Sequence, residues 1–99
     1  MPLITRDTTV VAAPQRQLST TLAGEVVILD VEKGEYFGLA NVGSLIWNML
    51  QTPRRVSDIV DRIVSEYDVR RGTAEEDLQA LLADLAARGL IEVDDSPPA

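Results

Sequence analysis

The 99-residue sequence contains no cysteine and no histidine. Without thiols there is no disulfide framework, no thiolate nucleophile and no soft-metal site. Without imidazole, the usual general base near neutral pH and the commonest metal ligand are missing too. Most enzyme chemistries are thereby excluded, and neither a metal nor a cofactor is expected. No apolar run approaches the ~20 residues needed to cross a bilayer. The opening MPLITRDTT has no basic segment leading into a long apolar stretch, so no signal peptide is read and the chain is expected in the cytoplasm. At 10.8 kDa it is one small domain; such a chain buries only roughly two thirds of its unfolded surface, which leaves little room for a deep active site.

With 45% hydrophobic and 25% charged residues, the composition is that of a protein that folds by itself. Its charge is unevenly placed. Residues 1–72 carry nine acids and eight bases, net −1, whereas residues 73–99 carry seven acids and only Arg88, net −6. A phosphate-gripping domain would cluster Lys and Arg on one face, so nucleic acid is not an expected partner; an acidic face favours a basic one.

The first half reads as β. Residues 8–13 form a β-branched run closed by Pro14, and 15–24 a polar connection ending in Gly24. Residues 25–31, EVVILDV, leave almost no polar face, as in a central strand covered on both sides. A turn at Glu32–Lys33–Gly34 leads to the antiparallel return 35–40, on which Glu35, Phe37 and Leu39 point one way and Tyr36, Gly38 and Ala40 the other. The second half reads as α: a helix over 42–50 stopped before Pro53, a second over 56–67 with an unbroken stripe from Val56 to Tyr67, and a third over 74–88. The third opens on a Thr73–Glu76 capping box and stops at Gly89. Residues 90–93 form an apolar exit, and 94–99 a tail expected to be disordered. Strands followed by helices give an α+β, winged-helix-like domain over 1–93, a three-stranded antiparallel sheet followed by three helices. With 25–31 central, strand 35–40 becomes an exposed edge whose main chain another segment can pair with, and the third helix forms the other wall of a groove.

Residues 14–90, roughly four fifths of the chain, carry an ordered pattern: Pro14, Leu18-Ser19, Gly24-x-Val26-x-x-Leu29-Asp30, Gly34-x-Tyr36-x-x-Leu39, Gly43-x-x-x-Trp47, Val60-Asp61, Tyr67-Asp68-Val69, Asp77, Leu81-Leu82-x-x-Leu85 and Gly89-Leu90. This pattern closely resembles the PqqD family, the leader-peptide recognition elements of ribosomally made, modified peptides. Its Pro-x-x-x-Leu-Ser opening and Gly-x-Tyr-x-x-Leu core look most like the stand-alone recognition proteins of lasso peptide pathways. The resemblance implies capture of a precursor's leader as an added strand on strand 35–40, the third in this order, against the third helix. It also implies presentation to a leader-cleaving cysteine protease and a macrocyclase, with no chemistry of the protein's own. One departure is Ala40 followed by Asn41, where the family often has Asn directly after the Leu, so the cap of the first helix starts one residue late.

Main-chain groups of Glu35, Tyr36, Phe37, Gly38 and Leu39 are the candidate partners of a leader strand. For Tyr36, Phe37 and Leu39 the alternative is plain sheet core, with at least one lining the groove. On the third helix a wheel places Leu78, Leu82 and Leu85 at the centre of the buried stripe and Leu81 on a flank with Asp77, Asp84 and Arg88. Glu75 and Gln79 lie on the opposite flank. The first flank is taken as the groove wall, because its carboxylates suit a basic leader; the bland alternative is a solvated charged face. The candidate peptide site on this helix is therefore Asp77, Leu78, Leu81, Asp84, Leu85 and Arg88. Trp47 is read as core. Within the family the rival is a carrier delivering a quinone-cofactor precursor to a radical enzyme. Outside it the rivals are a winged-helix DNA-binding regulator, disfavoured because Glu75, Glu76, Asp77 and Asp84 would face phosphates, and a small paired-carboxylate hydrolase, disfavoured by the lack of an evident pocket.

Overall fold

The computed structural model describes residues 4–94, so all of the expected disordered tail except Asp94 lies outside the described residues. In chain order the elements are β1 (Thr9–Ala12), β2 (Gln17–Leu22), β3 (Glu25–Asp30), β4 (Glu35–Leu39), α1 (Val42–Met49), β5 (Arg54–Arg55), α2 (Val56–Glu66), α3 (Arg71–Ala87) and β6 (Ile91–Asp94). Two antiparallel three-stranded sheets result, in the orders β2-β3-β4 and β5-β1-β6. The α+β, winged-helix-like architecture is present, with the expected sheet and three helices.

The membership of that sheet differs from the sequence reading. Its first strand is β2, inside the stretch read as a polar connection, while the run at 8–13 supplies β1, which pairs with β6 and β5. Consequently the strand at 35–39 is fourth in the chain and third in its sheet. β2 escaped the sequence reading because QLSTTL puts Gln17, Ser19 and Thr21 on the inner side, so it lacks a β-branched apolar run. Its hairpin also turns on Ala23–Gly24 instead of an Asn-Gly pair. Both residues have positive φ, 52° and 82°, as a two-residue primed turn demands.

The β3–β4 hairpin is held by Asp30. Its side chain is fully buried, and Oδ1 accepts hydrogen bonds from the main-chain N–H of Glu32 (3.1 Å) and Lys33 (3.3 Å), while its carbonyl accepts from Gly34 (2.7 Å). The side chain thus folds the turn locally, as Asp does where a chain must reverse.

The core is built from the inner face of β3 (Val26, Ile28), the apolar side of α1 (Ile46, Trp47, Leu50), the stripe of α2 (Val56, Ile59, Val60, Ile63) and the centre of α3 (Leu78, Leu82, Leu85). Trp47 is 1% exposed, and its indole N–H donates to the Ser19 hydroxyl at 3.0 Å, which ties α1 to β2. That bond satisfies the one polar atom the ring takes inside.

α3 starts earlier than its expected capping box. It begins at Arg71, no side chain caps it, and Thr73 falls within the first turn instead of at the N-cap. The Gly89 stop is as read: at φ 75° it lets its own N–H reach the Ala86 carbonyl (3.0 Å) and the Leu90 N–H reach the Leu85 carbonyl (3.0 Å), the paired bonds of a Schellman ending. Asn41 has φ 55° and precedes α1 without a side-chain cap bond.

The expected cover on both faces of the central strand is not found. Val26, Ile28 and Asp30 are buried, but Val27 and Leu29 are only half-buried and Val31 is exposed. The main contacts of β3 are with β2, β4 and α1, and Leu18 and Tyr36, the neighbours of Leu29 in the register, are exposed, so that face of the sheet is largely open.

Candidate functional site

The hydrogen-bond phase of the sheet decides what β4 offers to an incoming strand. Val31 N–H donates to the Arg16 carbonyl at 3.1 Å, so odd-numbered residues of β3 face β2 and even-numbered ones face β4. In the β3–β4 register, Asp30, Ile28 and Val26 oppose Glu35, Phe37 and Leu39. Those three residues of β4 therefore bond inward, and the N–H and C=O groups of Tyr36 and Gly38 point to the far edge. No strand pairs with that edge among the described residues.

Side chains follow the same alternation. Phe37 and Leu39 turn toward the core and pack partly buried against it, Tyr36 is 71% exposed on the opposite face, and Glu35 and Gly38 are exposed. α3 runs alongside in the opposite sense. Near its end the Arg88 guanidinium lies 4.4 Å from the centre of the Phe37 ring while its Nε donates to Asp84 Oδ1 at 3.2 Å. This cation–π contact, worth about 0.5–1 kcal/mol at an exposed site, links helix and strand at one end of the groove.

At the other end, where β4 hands over to α1, a pocket of about 470 Å³ opens between the three helices, contrary to the expectation that so short a chain has no evident pocket. Its lining includes Val42, Ile46, Tyr67, Asp77, Leu78 and Leu81. Gly43 belongs to the same wall, and a Cβ there would sit 3.4 Å from the Leu39 side chain, so the pocket and the strand are contiguous.

Of the helix residues singled out from the sequence, Asp77 and Asp84 are exposed, Leu81 and Arg88 are partly buried, and Leu78 and Leu85 are core at 1% and 3% exposure. Leu78 still reaches the pocket; Leu85 is not among its lining residues. The opposite flank is taken by the chain itself: Gln79 Nε2 donates to the Ile4 carbonyl at 3.1 Å, and Glu75 and Gln79 line a cleft with residues 4–6. On the other flank Asp77 and Asp84 are exposed, with the half-buried Leu81 between them.

Val42, Tyr67 and Asp68 were not among the sequence candidates. Tyr67 carried the one available signal, a large apolar residue ending the α2 stripe; its extended backbone turns it out of the helix, 37% exposed. Chemically the site offers main-chain donors and acceptors, an apolar pocket and a carboxylate rim. Among the described residues no group of acids gathers in a way that could hold a metal ion.

Residues 25–91, more than half of the chain, match the family model described as coenzyme PQQ synthesis protein D. The chain belongs to the PqqD family. Two solved structures resemble it over more than four fifths of its length. One is TbiB1 in complex with the TbiA(beta) leader peptide, 41% identical, covering 83% of this chain and 94% of that one with a TM-score of 0.77. The other is a lasso peptide synthetase B1 complexed with the leader peptide, 29% identical over 84% and 96% of the two chains, TM-score 0.74. No curated protein matches the chain. The family match begins at β3, so it includes β4, α3 and every lining residue of the pocket.

Proposed function

We propose that this protein binds the leader region of a ribosomally made precursor, of the lasso peptide class, as a strand added to β4. Tyr36 and Gly38 supply the main-chain bonds. The leader's inward side chains enter the groove against Leu81, and one apolar side chain fills the pocket beside Asp77 and Leu78. Asp77 and Asp84 pair with Lys or Arg of a basic leader. The observation that carries this reading is the unpaired β4 edge lying beside the open, leucine-bearing acidic flank of α3. Its relatives' complexes with leader peptides support it, and the likeness to a lasso peptide synthetase B1 over most of both chains favours a lasso precursor over a quinone-cofactor one.

The protein then hands the precursor to a leader-cleaving cysteine protease and a macrocyclase, and performs no reaction itself; the sequence has neither Cys nor His to perform one. A precursor leaving the ribosome is met in the cytoplasm, and a chain without cysteine is indifferent to the reducing conditions there. No helix among the described residues is long and apolar enough to cross a membrane.

A synthetic leader should bind with micromolar or tighter affinity, on the order of −8 kcal/mol, with no enzyme present. Titration calorimetry with amide shifts read across residues 35–40 and 77–88 tests this. Absence of both heat and shifts would overturn it.

A further inference from the structure

The groove between β4 and α3 carries opposite charge at its two ends. The pocket end has Asp68 and Asp77 in its lining and no Lys or Arg. At the far end stands Arg88, the sole base among residues 73–99. Its guanidinium lies over the Phe37 ring, 4.4 Å from the centre, and its Nε is tethered to Asp84 Oδ1 at 3.2 Å. The Arg88 side chain is 38% exposed and that of Asp84 60%, and a pair so open contributes little to stability. What the arrangement fixes is the plane and position of a cation. Stacking takes up the flat face of a guanidinium and leaves its N–H edge for hydrogen bonds. Phe37, which it covers, is on the inner face of β4, the face onto which an added strand turns every second side chain.

We infer that Arg88 selects an acidic residue of the leader, at a fixed step C-terminal to the residue that fills the pocket. The inference deepens the strand-addition reading above and rests on it.

The step follows from geometry. Leu81 and Leu78, which wall the pocket, precede Arg88 by seven and ten positions. At the helical rise of ~1.5 Å per residue, the cation stands about 10–15 Å from the pocket along α3. An extended leader covers that distance in roughly three to five residues at ~3.3 Å each. Only an even step keeps both side chains on the groove side, which leaves four. The direction follows from β4, which begins at the Arg88 end and finishes at the pocket. An antiparallel partner, whose ladder is the more stable, therefore runs from pocket to cation. A carboxylate suits the guanidinium in shape as well as charge, because the planar fork can give it two parallel hydrogen bonds. A leader base is repelled there and attracted at Asp77, so the two ends of the groove together set the register.

The test titrates wild type and Arg88→Gln with the synthetic leader of the precursor of the same pathway, and with leaders in which each Asp or Glu is changed singly to its amide. Isotope-filtered NOEs from the Val42 and Leu78 methyl groups identify the leader residue in the pocket. In wild type one amide replacement, at the stated step, should weaken binding at least fivefold. Arg88→Gln should lose the same factor with the unchanged leader and nothing further with the replaced one, the non-additivity of two groups in contact. Additive losses, an affinity of Arg88→Gln within twofold of wild type, a coupled acid at another step, or tight binding by a leader with no acid there overturn the assignment. A cation at a helix C-terminus also complements the helix dipole. A role confined to that would lower the melting temperature of Arg88→Gln, leave the ranking of leaders unchanged, and likewise overturn it. The replaced leaders on wild type carry the test even where the variant folds poorly. Failure of wild type to bind the unchanged leader appears in the first titration and removes the strand-addition reading instead.

Discussion

Leu81 stands between the buried centre of α3 and its carboxylate flank, half-covered, in the wall shared by groove and pocket. Replacing it with Asp puts a charge where an apolar leader side chain would seat, so Leu81→Asp should weaken leader binding at least tenfold, about 1.4 kcal/mol. Glu75→Ala, on the flank covered by residues 4–6, should stay within twofold. Calorimetry on both, with circular dichroism to confirm folding, checks the ranking; the reverse order would mean that the leader uses the other side of the helix. A second residue-level prediction concerns stability. Gly89 has φ 75°, and a Cβ there would meet the Arg16 guanidinium, with Nη2 at 2.9 Å. The neighbour is the far end of a flexible side chain and can move, so the backbone sets the penalty: Gly89→Ala should destabilise by about 1–2 kcal/mol. A thermal melt should show a drop of roughly 4–8 °C per kcal/mol for a domain of this size. Gly89 was legible as a helix stop from sequence. Arg16 as its neighbour was not, because nothing local relates positions 73 residues apart.

At the level of elements, the phase of β4 separates two proline substitutions that look equivalent in sequence. Proline lacks an N–H and is tolerated on an edge strand only where that group faces outward. Phe37 bonds toward β3, so Phe37→Pro should disrupt the sheet and lose leader binding along with it. Gly38 bonds outward, so Gly38→Pro should retain the far-ultraviolet spectrum of the folded protein and still lose binding. Equal unfolding by both, or leader binding by Gly38→Pro at wild-type strength, would contradict the assigned phase. The helices were the most readable elements, since Val56, Ile59, Val60 and Ile63 repeat with a period that only an α-helix places on one side. β2 was the least readable. Its inward positions are Gln17, Ser19 and Thr21, and what makes it a strand is the ladder to β3 and the Ser19–Trp47 bond, both supplied from elsewhere in the chain. The α3 start illustrates a competing effect: a local capping signal at Thr73 yielded to three further residues of helix, Arg71 to Thr73, with Ala74 N–H donating to the Arg70 carbonyl at 2.9 Å.

For the molecule as a whole, charge sets how a partner arrives. With net −7 and Asp77 and Asp84 beside the groove, association with a basic leader should be steered electrostatically and screened by salt. Raising ionic strength from about 0.05 M to about 0.5 M should weaken leader binding several-fold, mostly through a slower on-rate, as surface plasmon resonance would record. Salt-independent affinity would assign the recognition to the pocket and main chain alone. Duplex DNA should give no salt-sensitive gel shift, since α3 carries Glu75, Glu76, Asp77 and Asp84 where a recognition helix needs cations.

The sequence by itself determined the periodic and compositional properties: three amphipathic helices, a β3–β4 hairpin, an acidic C-terminal quarter and the lack of any Cys or His nucleophile. Each follows from spacing along the chain or from residue counts, which need no knowledge of distant contacts. Only the tertiary structure decided which strand joins β3 on its far side, which main-chain groups of β4 stay open, and which flank of α3 the N-terminal segment covers. It also left the outer sheet face bare where the run EVVILDV reads as buried on both sides. Those features are set by which distant segments pair and pack, and a hydrophobic strand has the same local pattern whether its second face meets its own chain or another protein.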